Sequence, residues 1–104
     1  MAFKLEITDS AYKDLDGILS YLEESLFATS AALRFADKLE ECYKRILGYP
    51  RLYPMCRNEN IAARGFRCAV VMRYVVFYTV DDVKAVIHIQ RIIHGTMDYP
   101  QTDM

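Results

Sequence analysis

Apolar and polar positions change period along this chain, and the changes mark its elements. From Gly65 to Gly95 valine, isoleucine, phenylalanine and tyrosine dominate, residues that fit a pleated, half-buried surface. Breaks at Met72-Arg73 and Asp81-Asp82 divide the run into pieces of strand length. Connections so short can only be hairpins, so the spacing predicts an antiparallel three-stranded meander. Such a sheet needs a cover on at least one face.

The first half of the chain predicts that cover. Phe3-Lys-Leu-Glu-Ile7 alternates as a short strand with one buried face. Thr8 or Asp9 then supplies an N-cap oxygen. Ala11, Leu15, Ile18, Leu19 and Leu22 recur at helical steps, so a first helix is expected to about Ser25, with Lys13, Asp14, Asp16, Glu23 and Glu24 largely off its stripe. A second start at Thr29-Ser30 leads into Ala32, Phe35, Ala36, Leu39, Cys42, Tyr43 and Ile46, ended by Gly48 and Pro50. Two amphipathic helices with a short link form an antiparallel hairpin. The fold class is therefore α+β, in the order β-α-α-β-β-β, with the hairpin on one face of a mainly antiparallel twisted sheet and the other face left free to engage another macromolecule. Residues 49–64 carry Pro50 and Pro54 and show no period, so they are expected to be a long structureless loop, of a length that hints at function.

Composition narrows the class. The 104 residues have room for one domain, 1–104, and 53% hydrophobic with 26% charged residues excludes an extended disordered chain. No apolar run approaches the ~18 residues that span a bilayer, and the start lacks the layout of a signal peptide, so no membrane role and a cytoplasmic address are expected. Cys42, Cys56 and Cys68 share no close spacing and are expected to be reduced thiols. His88 and His94 have no acidic companion at ligand spacing, so neither metal nor cofactor is expected. The net charge of −1 argues against a protein that grips phosphate backbones with its whole surface. Yet residues 50–80 hold Arg51, Arg57, Arg64, Arg67 and Arg73 against Glu59 alone, which suits an acidic partner.

Single residues stand out in the strands. Arg91 alternates with Ile87 and Ile89, so strict period two turns it inward, and a buried arginine demands a partner. A bulge that turns it out, or a salt bridge to a helix carboxylate, would resolve the conflict. Tyr74 and Tyr78 share a face with Val76 and Val80 and read as core or partner-facing. His88 reads as a surface or interface residue, His94 as a strand-end residue fixing a turn, and the Leu26-Phe27 run as ordinary packing at the hairpin tip.

Ala31-Ala32-Leu-Arg-Phe35, Gly48-Tyr49-Pro50, Tyr74-Val-Val-Phe-Tyr78 with Val80-Asp81-Asp82, and Arg91-Ile-Ile-His-Gly-Thr-Met-Asp-Tyr99 follow one another in this order. Together they resemble the RelE/ParE superfamily of bacterial type II toxins over nearly the whole chain. The ending is closer to ParE-like and plasmid-stabilisation members, although Thr96-Met97 stands where the family commonly has Arg-Arg. The resemblance implies a toxin neutralised by a cognate antitoxin, acting either on DNA gyrase by binding and blocking it or, in RelE-like members, on ribosome-bound mRNA by cleavage. A degenerate member serving only as an antitoxin-binding protein is a third reading, and self-association as a homodimer stays open. Metal-free RNA cleavage needs a base, an acid and cations for the phosphorane. If the chain is a nuclease, Arg91, His94, Arg67 and Tyr99 are the candidates, gathered in a cationic pocket on the open sheet face, with Glu59 a weaker base. Partner contacts are expected at Arg67, Arg73, Tyr74, Tyr78 and His88. Helices on both faces of the sheet, or a last strand outside it, would argue against the family.

Overall fold

The computed structural model describes residues 2–25 and 29–95. Leu26, Phe27 and Tyr99 lie outside the described residues. The elements are β1 (Lys4–Ile7), α1 (Asp9–Ser20) continued by a π-helical turn (Tyr21–Ser25), α2 (Thr29–Gly48), α3 (Glu59–Ala63), β2 (Arg67–Val71), β3 (Tyr74–Asp81) and β4 (Val86–His94). The sheet runs β1-β4-β3-β2; β2, β3 and β4 form the antiparallel meander and β1 lies parallel to β4.

Local chemistry sets the boundaries. Thr8, extended at φ −69°, accepts the Ala11 N–H at 3.1 Å and caps α1. Its hydroxyl also donates to the Gln90 carbonyl at 2.9 Å, and its N–H to that of Ile89 at 3.1 Å, so the start of α1 is pinned to β4. The β2–β3 turn passes through Met72 at φ 56°, a left-handed conformation that tight hairpins use.

One core lies between the helical hairpin and the sheet. Ala11 and Ile18 of α1 and Phe35, Leu39 and Ile46 of α2 meet Val76, Tyr78, Ile87, Ile89 and Ile92 of the strands. A second, smaller core lies on the opposite face, where Ile61 of α3 joins Cys56, Phe66, Phe77 and Ile93. This corrects two expectations. Residues 49–64 are not structureless: Asn58 caps α3 by accepting the Asn60 and Ile61 N–H groups, and Gly65 follows the helix at φ 88°. The sheet face away from the hairpin is not bare either, because Ile61, 1% exposed, buries against it. Helices therefore lie on both faces of the sheet, the arrangement expected above to argue against the family; that criterion was too strict, since α3 is only five residues long, the main hairpin still covers one side and β4 pairs inside the sheet.

The cysteines depart from expectation as well. Cys56 and Cys68 form a disulfide, Cα to Cα 5.1 Å, while Cys42 is a buried free thiol. The antiparallel run of residues 54–56 alongside the start of β2, through the Met55–Arg67 bridge and the Cys68 N–H on the Pro54 carbonyl, brings the two together.

Candidate functional site

A concavity opens where α1 and its π-helical turn pass the C-terminal half of β4. It encloses about 400 Å³ and is lined by Lys13, Asp14, Gly17, Ile18, Tyr21, Tyr74, Arg91, Ile92, Ile93 and His94. A second groove of about 320 Å³ shares Tyr21, Tyr74 and His94 and continues to Leu22, Met72 and Arg73. Of the residues singled out in the sequence, the fold brings Arg91, His94, Tyr74 and Arg73 to this end of the molecule.

The floor of the cleft follows from a bulge. The β3–β4 register pairs Phe77 with Arg91 but Tyr78 with Ile89, leaving Gln90 as an extra residue on β4. A bulge interrupts the two-residue period, so Arg91 falls opposite Phe77 instead of continuing the inward row of Ile87 and Ile89. Its guanidinium is then held by Asp14 of α1: Nε donates to Oδ2 at 2.8 Å and a terminal nitrogen to Oδ1 at 3.1 Å. Asp14 Oδ2 also accepts the Ile92 N–H at 2.9 Å. With side chains 18% and 17% exposed, the pair forms a largely desolvated fork of the kind that fixes geometry. Both resolutions foreseen for Arg91, the bulge and the helix carboxylate, occur together.

His94 pairs with Tyr74 across the ladder and meets it edge to face, ring centroids 5.2 Å apart; Tyr74 meets Phe35 in the same way at 5.1 Å. Burial pushes the Tyr74 phenol above its ordinary value and Tyr21 adds to this, while Arg73 pulls the other way.

Other candidates go elsewhere. Arg67 begins β2 and donates to the Tyr53 carbonyl at 2.7 Å. It pairs with Tyr78, whereas His94 pairs with Tyr74 at the other end of β3, roughly 13 Å along the strand at ~3.3 Å per residue. The expected pocket joining Arg67 to Arg91 and His94 on the open face is thus not formed. Tyr78 is wholly buried and donates its hydroxyl to the Pro50 carbonyl at 2.9 Å, so it fastens the loop and presents nothing to a partner. Burial pushes its phenol up to about 12, with Arg67 opposing. His88 lies beside Glu6 across the β1–β4 pair, 3.6 Å apart, at the surface. Glu59 sits in the first turn of α3, on the far face.

Asp14 is the residue that sequence reasoning missed. The signal was present: position 14 is three after Ala11 and four before Ile18, so a carboxylate interrupts the apolar stripe itself. Tyr21 was likewise passed over, being one residue from Leu22 on the same turn.

Comparison with known proteins now places this architecture. The sequence matches the ParE toxin family, toxins of type II toxin–antitoxin parDE systems, over residues 5–99. The fold is shared with the chromosomal ParDE system of P. aeruginosa, at TM-score 0.70 and 21% identity over 89% of this chain and 96% of that one. It is also shared with the RelBE2 toxin–antitoxin complex of Mycobacterium tuberculosis, at TM-score 0.58 and 21% identity over 90% and 99% of the two chains. No curated protein matches by sequence. The chain belongs to the ParE toxin family of type II toxin–antitoxin systems. Among the described residues no helix is long and apolar enough to cross a membrane.

Proposed function

We propose that this chain, acting in the cytoplasm as a single domain over residues 1–104, inhibits growth by binding and blocking a protein target such as DNA gyrase, without cutting nucleic acid. A cognate antitoxin holds it in check by covering its working surface, the arrangement of a plasmid-stabilisation pair. Arg73, Tyr74 and His88 are the residues we assign to partner contact, with Arg73 and Tyr74 beside the cleft.

The observation that carries the non-nucleolytic reading is the Arg91–Asp14 fork. A phosphorane formed in metal-free RNA cleavage needs cations turned towards it, and the guanidinium best placed in the cleft is already neutralised by a carboxylate. Arg67 is committed to the Tyr53 carbonyl.

The test is induction of the chain in a bacterial host, following transcript integrity together with DNA supercoiling and the DNA-damage response. Intact messages with filamentation and DNA breaks support the proposal. Rapid cuts in translated messages refute it in favour of the RelE-like ribonuclease. Normal growth, with binding to an antitoxin retained, refutes it in favour of an inert antitoxin-binding protein.

A further inference from the structure

Residues 55–66 form a strap across the sheet face opposite the helical hairpin. Ile61 plugs it into the small core with Phe66, Phe77 and Ile93. Its two ends are joined by the Cys56 N–H on the Phe66 carbonyl at 3.1 Å and by the Cys56–Cys68 bond, which closes a loop of sequence separation 12. The two cysteines stand in different surroundings. Cys56 is 4% exposed, whereas Cys68 is half-buried and lines an open groove of about 440 Å³ with Met55, Val70 and Val75, flanked by Arg57 and Arg73. Cys68 is thus the more exposed half of the bond and borders the groove, although it also packs against the small core to which Cys56 belongs. The arginines favour an approaching anion and stabilise a thiolate beside them. Disulfides whose sulfur can be reached are the exchangeable ones.

We propose that Cys56–Cys68 is a reversible redox clasp, opened by thiol–disulfide exchange at Cys68 with a small anionic thiol of the glutathione class, and that opening loosens the 55–66 strap and reshapes the groove it borders. In the first step the thiolate attacks Cys68 Sγ, forming a mixed disulfide while the electron pair of the broken S–S bond leaves on Cys56 Sγ, which takes a proton. A second thiolate attacks the mixed disulfide at the small-molecule sulfur and releases Cys68 as a thiol after protonation. Overall two small thiols become one small disulfide, and the protein gains two electrons and two protons.

The experiment equilibrates the purified full chain in glutathione buffers from fully reduced to fully oxidised. Samples are acid-quenched and alkylated for peptide mass spectrometry, and parallel samples are taken for amide hydrogen exchange. The proposal predicts that Cys56 and Cys68 pass together between bridged and alkylated forms, that the trapped single adduct sits on Cys68, and that exchange in 55–66 rises about tenfold or more on reduction while α2 is unchanged. In Cys68→Ser the strap shows the reduced-state exchange in every buffer. A bond that never forms in oxidised buffer, a bond that excess glutathione leaves intact, an adduct on Cys56, or strap exchange indifferent to redox state in the native chain would each overturn it. So would redox-dependent strap exchange persisting in Cys68→Ser.

Discussion

Removing the Asp14 carboxylate is the sharpest probe of how this fold holds its cleft. Asp14 accepts three hydrogen bonds, two from Arg91 and one from the Ile92 N–H, and both side chains are more than four-fifths buried. Asp14→Ala leaves a desolvated guanidinium and an orphaned strand-edge N–H. Breaking a buried pair by deleting one partner costs about 3–5 kcal/mol; the residual exposure lets water reach part of the site, so we expect about 2–4 kcal/mol. At about 4–8 °C per kcal/mol for a domain near this size, the melting midpoint falls by roughly 8–32 °C. Asp14→Asn keeps an oxygen for Ile92 and should lose about half as much. Thermal and urea unfolding of the three proteins are the assay, with Asp14→Ala/Arg91→Met closing a mutant cycle. A loss under about 1 kcal/mol in Asp14→Ala, or no recovery of stability in the double variant, would show that the fork contributes little and that α1 is held against β4 by the Thr8 hydrogen bonds and the packing of Ala11 and Ile18.

Other outcomes follow from particular residues. Arg91→Ala should abolish growth inhibition more completely than Arg73→Ala, and urea unfolding should show that it does so by destabilising the cleft; full toxicity in both variants at matched protein levels would contradict this. Tyr78 keeps its phenol proton up to about pH 12 in the folded chain, whereas an unfolded tyrosine loses its proton near pH 10. The unfolded state then binds fewer protons, so the contribution is intact below about pH 10 and is lost as pH climbs through about 12; Tyr78→Phe should flatten that alkaline fall in the urea midpoint. Gly65→Ala meets no atom within 4 Å but must hold φ 88°, and should cost about 1 kcal/mol through backbone strain alone, as read by urea unfolding.

The element order, the meander and the helical hairpin were legible because each depends on a short period repeated many times. Val76, Tyr78 and Val80 on one strand, or Phe35, Leu39 and Ile46 on one helix, repeat the same instruction. The α3 strap was not legible, because one turn and a half carrying a single buried isoleucine leaves no period to detect. For the candidate site, the sequence marked Arg91 as needing a partner and named His94, Tyr74 and Arg73 as separate candidates, which only the fold brings to one end. The sequence did not supply Asp14, 77 positions away, and it placed Arg67 in a pocket it does not join.

Local patterning determined which stretches are strand or helix, which face of each is apolar, and the antiparallel order of the last three strands, since these rest on interactions between near neighbours along the chain. Three-dimensional packing decided the rest. It decided that β1 lies parallel against β4, that one bulge at Gln90 brings Arg91 opposite Phe77, that Cys56 reaches Cys68, and that Tyr78 is sealed under Pro50. Each of these sets a register or a distance between segments far apart in sequence, and no local propensity encodes such a quantity; it is fixed only when both partners are buried against each other.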